Sequence, residues 1–158
     1  MLASTLDLSG KTVTLPSGTG GKVLQVVQGT YSTSLTLSNT WASTGLSASI
    51  TPSASSNKVL MLAFVPYTVV KAANDYISLE YDIQRDGTSL KHVQLGGYSS
   101  TYIQMYGAYN CSLLDSPATT SSVTYSLNAR SQGATDAYAL NGGTANDGSS
   151  IILMEVSA

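Results

Sequence analysis

Apolar and polar residues in this chain change places every second position, again and again, and no segment sustains the 3.6-residue period of a helix. In Trp41 to Ile50, Leu46, Ala48 and Ile50 alternate with Ser47 and Ser49, the pattern of a half-buried strand that Thr51-Pro52-Ser53 ends. Val23–Gln28, short and β-branched, predicts an earlier strand. Val59 to Val65 is apolar at every position and predicts a strand covered on both faces, central in a two-layer sandwich. A buried helix competes for that run, but its shortness and the Pro66 that follows decide for a strand ending there.

A hairpin comes next. Ile77, Leu79, Tyr81 and Ile83 alternate with Ser78, Glu80, Asp82 and Gln84, and Asp86-Gly87 supplies a turn that tolerates positive φ. Leu90, His92 and Gln94 then alternate with Lys91, Val93 and Leu95 on the return strand. Tyr102 to Tyr109 predicts a strand aromatic on one face. Val123, Tyr125, Leu127 and Ala129 mark another, and Ile151 to Met154 lie in a closing strand, Ser150 to Val156. About eight short strands separated by turn signals predict an all-β chain, an antiparallel β-sandwich of jelly-roll-like form, with helix content near zero. The Pro/Gly-rich stretch Pro16-Ser17-Gly18-Thr19-Gly20-Gly21 reads as a joint. It divides the chain into a short N-terminal arm and linker, residues 1–21, and a β-sandwich domain, residues 22–158.

Composition narrows what such a domain can do. Of 158 residues, 25 are Ser and 18 are Thr, and 10 of the 12 aromatics are Tyr; there is one His and one Cys. Charged residues make up 10%, against about 25% in an ordinary globular protein, so solubility falls to hydroxyls and amides. The seven cations (Lys11, Lys22, Lys58, Lys71, Arg85, Lys91, Arg130) form no stripe that could neutralise phosphates, which argues against nucleic acid as a partner. The longest apolar stretch, Val59 to Val70, is too short for a membrane span, and Met1-Leu2-Ala3-Ser4 lacks the features of a secretory signal.

Candidate chemistry is sparse, and the chain is expected not to be an enzyme. His92 is the one general base of ordinary pKa, with no Ser-His-Asp spacing to support it, and reads as a surface or core histidine. Cys111 reads as a small buried hydrophobe. Asp136, Asn141, Asn146 and Asp147 fall in a Gly-rich stretch, Gly133 to Gly148, that offers oxygen ligands for Ca²⁺ but matches no known loop spacing. Ordinary turn chemistry explains them, and no metal or cofactor is expected. Glu80 and Asp82 share a strand face as paired carboxylates might in a glycosidase, yet read as the solvated side of the hairpin or an inter-subunit edge. Tyr98, Tyr102, Tyr106 and Tyr109 cluster within twelve positions. Exposed, they would favour recognition of protein or sugar; buried, they would fill the sandwich or a trimer axis, and the structural reading leads.

Several stretches together resemble a domain of tailed-bacteriophage virion proteins, notably those of cyanophages. They are Gly21-Lys22-Val23-Leu24-Gln25-Val26-Val27, Gly45 to Pro52 with Ser55-Ser56-Asn57-Lys58-Val59-Leu60, Leu114 to Thr120 leading into Val123–Arg130, and Ile152-Leu153-Met154-Glu155-Val156. The likeness covers most of residues 6–156, and Leu6 to Pro16 is similar to the linker that precedes this domain in tail-fibre chains. The motifs consist of small, common residues and carry no catalytic residue to transfer. The resemblance implies a trimeric β-sandwich on the outside of a virion, made in the cytoplasm of the bacterial host. Taken as complete, the chain lacks a long shaft and a tail-anchoring domain, and a free-standing copy suits a capsid decoration, or cement, protein that clamps the major capsid protein. Leu6, Leu8, Val13 and Leu15 would then form the capsid-contact arm. The alternative is the distal receptor-binding head of a tail fibre or tailspike, reading host surface glycan with its Tyr-rich face.

Overall fold

The computed structural model describes residues 22–71, 75–132, 137–140 and 148–158, and within them the chain is all β. Its strands are β1 (Val23–Tyr31), β2 (Leu35–Leu37), β3 (Ala42–Ile50), β4 (Lys58–Lys71), β5 (Asp75–Arg85), β6 (Thr88–Ser99), β7 (Ile103–Asp115), β8 (Val123–Ser131), β9 (Ala137–Leu140) and β10 (Ser149–Val156). The first sheet has β4 at its centre. β7 pairs along one side of it, and β10 and β9 share the other side end to end; β1 and β2 lie beyond them. The second sheet runs β3-β8-β5-β6. Counting β1 with β2 and β9 with β10 as single lanes gives two four-lane antiparallel sheets in the order of a jelly roll.

Strict alternation builds the core between them. On β8, Val123, Tyr125, Leu127 and Ala129 point inward and are buried, while Thr124, Ser126, Asn128 and Arg130 point out. Leu46, Ala48 and Ile50 do the same on β3, and Ile151 and Leu153 on β10. Each fully buried aliphatic side chain contributes about 1.5–3 kcal/mol. The sheets pinch together where β1 meets β3: a Cβ on Gly29 would lie 2.1 Å from the Ser47 carbonyl oxygen, so no larger residue fits there. The hairpin turn is the expected one, with Asp86 at φ 49° and Gly87 at φ 80°.

Three expectations need correction. β4 does not stop at Pro66 but runs on to Lys71. On its β9/β10 side the register pairs Phe64 with Ser150 and then Tyr67 with Leu140, skipping Val65 and Pro66. The proline thus sits where one neighbour ends and the next has not begun, so its missing N–H need break no ladder there. Nor is β4 covered on both faces: Val59, Met61 and Val65 are buried, but Phe64 on the other face is 42% exposed. On β6 the alternation slips. A register shift opposite Ile83/Gln84 turns Leu90 onto the core beside Val93 and Leu95, while His92 and Gln94 stay outside.

Candidate functional site

Among the described residues three surface regions lie outside the core, and each draws its character from strand register. The outer face of the first sheet carries a cluster of apolar side chains among uncharged polar ones. Pairing aligns Val26, Met154, Leu60 and Leu114 in one rung, then Gln28, Ile152, Leu62 and Ser112, then Thr30, Ser150, Phe64 and Asn110. These three rungs hold no charged residue. Val26 and Leu114 are more than half exposed, whereas Leu60, Leu62, Ile152 and Met154 are half-buried by their neighbours in the same sheet. Val26, Met154, Leu60, Leu114, Leu62, Ile152 and Phe64 thus form one apolar cluster bordered by Gln28, Ser112, Thr30, Ser150 and Asn110.

The outer face of the second sheet is polar and satisfies itself. Glu80 and Asp82, expected on the solvated side, are buried under neighbouring side chains. One carboxylate oxygen of Glu80, Oε2, accepts from Arg130 Nη2 at 2.8 Å, Arg130 Nε at 3.0 Å and His92 Nε2 at 2.7 Å. The Arg130 guanidinium lies 4.7 Å from the Trp41 ring centroid, and His92 meets the same ring edge-on at 5.2 Å. Asp82 accepts from Gln84 Nε2 at 2.7 Å and from the Ser89 hydroxyl. Glu80 thus joins β5 to Arg130 of β8 and His92 of β6, and both of these pack on the Trp41 ring.

The third region is the end of the sandwich where β5, β6 and the upper parts of β4 and β7 extend past β8. Tyr76, Tyr98, Tyr102 and Tyr106 are all 59–71% exposed there, and Tyr76 meets Tyr98 edge-to-face at 5.2 Å. Tyr109 is not part of this cluster. It is 5% exposed and stacks in the core on Tyr81, with centroids 4.2 Å apart. Tyr106 and Tyr109 are an odd number of positions apart on one strand, so they face opposite ways, and the strand is not aromatic on one face only.

No family model matches the chain, and no curated protein matches it. Among solved structures it is similar to dimeric latent PorU from Porphyromonas gingivalis, at 11% identity and TM-score 0.40 over 89% of this chain and 14% of that one. It is similar also to infectious bursal disease virus, Gt strain, at 14% identity and TM-score 0.34 over all of this chain and 43% of that one. The VP2 subviral particle of that virus gives 15% identity and TM-score 0.33, covering 85% and 38%. The chain spans less than half of each of these proteins. Likenesses this distant carry no argument about its function.

The remaining sequence candidates separate cleanly. Cys111 is half-buried on the inner side of β7, and burial raises its thiol pKa. The arm residues Leu6, Leu8, Val13 and Leu15, and Asp136, Asn141, Asn146 and Asp147, lie outside the described residues. Among those described, no three His, Cys, Asp or Glu side chains gather to hold a metal, and no helix is long and apolar enough to cross a membrane. Sequence reasoning missed Trp41 and Arg130. Arg130 is fifty residues from Glu80, and only the β5–β8 register, which sets the two side by side, brings them together. Tyr76 carried a local signal: it stands one position before the Ile77–Ile83 alternation.

Proposed function

We propose that this protein is a structural, non-enzymatic component of a tailed-bacteriophage virion: a homotrimeric decoration protein that cements the outer capsid surface. The observation that carries this reading is the run of apolar residues from Val26, Met154, Leu60 and Leu114 to Phe64 on three uncharged rungs of the first sheet's outer face, set against a second sheet whose outer face is closed by its own hydrogen bonds. One face is suited to contact and the other to solvent. The jelly roll is a frequent fold of capsid and lectin domains, which agrees with the reading without deciding it. In a trimer the apolar rungs Val26–Leu114 and Phe64 supply the subunit contact, and three-fold repetition multiplies each modest patch. The arm, through Leu6, Leu8, Val13 and Leu15, contacts the major capsid protein. Removing residues 1–16 should then abolish binding to empty capsids while the trimer persists in solution; undiminished capsid occupancy would sink the proposal.

A second reading has its own observation in the exposed tyrosines Tyr76, Tyr98, Tyr102 and Tyr106, whose rings offer the flat faces that sugars stack on. As the receptor-binding head of a fibre, the soluble domain would bind host cells and compete with infection. Copy number separates the two, since cement occupies positions all over the shell and a fibre head only the tail.

A further inference from the structure

The inward series of β6 breaks off beyond Leu95, where the neighbouring β5 has run past its last pairing with β8. Val93 and Leu95 pack on the core, but the next inward position is Gly97, and a Cβ built there would meet nothing within 4 Å. Across the gap, the inward series of β7 runs Tyr109, Gly107, Met105. A Cβ on Gly107 would come within 2.7 Å of the Tyr67 ring and hydroxyl, so this glycine is what lets Tyr67 lie flat against β7 instead of reaching across. One glycine withholds a side chain from the gap and the other keeps a ring out of it.

What remains is a cavity of about 410 Å³ that opens to solvent at this end, lined by Tyr67, Leu79, Gln94, Leu95, Gly96, Gly97 and Met105. Glycine inside a strand costs about 0.5–1 kcal/mol relative to alanine. Strand glycines of this kind mark places where a ligand or another backbone comes close.

We propose that this cavity is a binding site for a small aromatic molecule of one or two rings. Its size falls within the range of about 300–1,000 Å³ typical of ligand sites, and its walls are mostly apolar. A slot between two sheets suits a planar guest, which can stack on Tyr67 and meet the Met105 thioether at its edge. The site is separate from the apolar outer face on which the shell-protein reading rests, so either can fail without the other.

Indole is a suitable probe. Titrated into ¹⁵N-labelled protein, it should shift the Gly96, Gly97 and Gly107 amide resonances saturably and leave Gly87, at the opposite end of the hairpin, unmoved. Gly97→Leu projects an aliphatic side chain into the space and should weaken indole binding by about tenfold or more, some 1.4 kcal/mol. Leu95→Phe narrows the slot from the same wall and should act in the same direction, and it serves if Gly97→Leu fails to fold. Shifts that never saturate, or a folded filling variant that binds indole as tightly as the parent, would overturn the proposal.

Discussion

The two ends of the sandwich are built on opposite principles. At the end carrying the Asp86–Gly87 turn, polar groups are drawn inside and locked. The Glu155 carboxylate is fully buried and accepts from Gln25 Nε2 at 2.6 Å, Asn57 Nδ2 at 2.6 Å, and the Ser53 amide and hydroxyl at 2.7 Å each. Beside it, Asp115 takes the Arg85 guanidinium and, at 2.6 Å, the Tyr125 hydroxyl. These groups tie β1, the segment after β3, β5, β7, β8 and β10 to one another. At the other end Gly97 and Gly107 leave room between the sheets, and four tyrosines stand in solvent. A sealed end fixes the register of the whole molecule, which frees the open end to present surface.

The strongest way to break this contrast is to remove the seal. Glu155→Ala leaves several buried donors without an acceptor and should cost about 3 kcal/mol or more, read as a lowered urea midpoint. A loss below about 1 kcal/mol would mean that water replaces the carboxylate and that the end is not closed. Acid probes the same point more gently. Burial by itself would raise the Glu155 pKa, but the four hydrogen bonds outweigh it and hold the group down to about 2, from an ordinary 4.5. A depressed carboxyl contributes stability above its unfolded pKa and loses it as pH falls through the folded one. Glu155→Gln does not titrate, so the stability gap between parent and variant should be full at pH 6 and narrow between about 4.5 and 2. A gap that stays constant over that window would show that the carboxylate is not held as described.

How much of this was legible beforehand depended on the range of the interaction. Alternation in Ala42–Ile50 and Val123–Ser131 is local, and it predicted both strands and their inward faces. The Asp86–Gly87 turn is also local. Everything decided by pairing across the sheet was hidden. The Val59–Val65 run gives no sign that only one of its faces is covered, because that depends on whether another layer lies over β10 and β7. Glu80 looked solvated because Arg130 and His92 reach it from different strands, and Trp41 lies over them from outside the sheet's alternation. The polar lock at Glu155 gave no signal in advance, since its four donors come from residues 25, 53 and 57.

The open end supplies the smallest effect and the sharpest test of the contrast. Tyr98, Tyr102 and Tyr106 are 59–71% exposed, so replacing each with Ser should change stability by no more than about 0.5 kcal/mol. Tyr98 gives up one edge-to-face contact with Tyr76, itself exposed, which keeps that loss near the same bound. The measurement is the urea midpoint of the triple variant beside that of Glu155→Ala. Near-parent stability in the first and a large loss in the second would place stability at one end and surface at the other. If the triple variant instead loses as much as the Glu155 variant, the tyrosines are structural, and the tip is held together by the rings that looked free to bind.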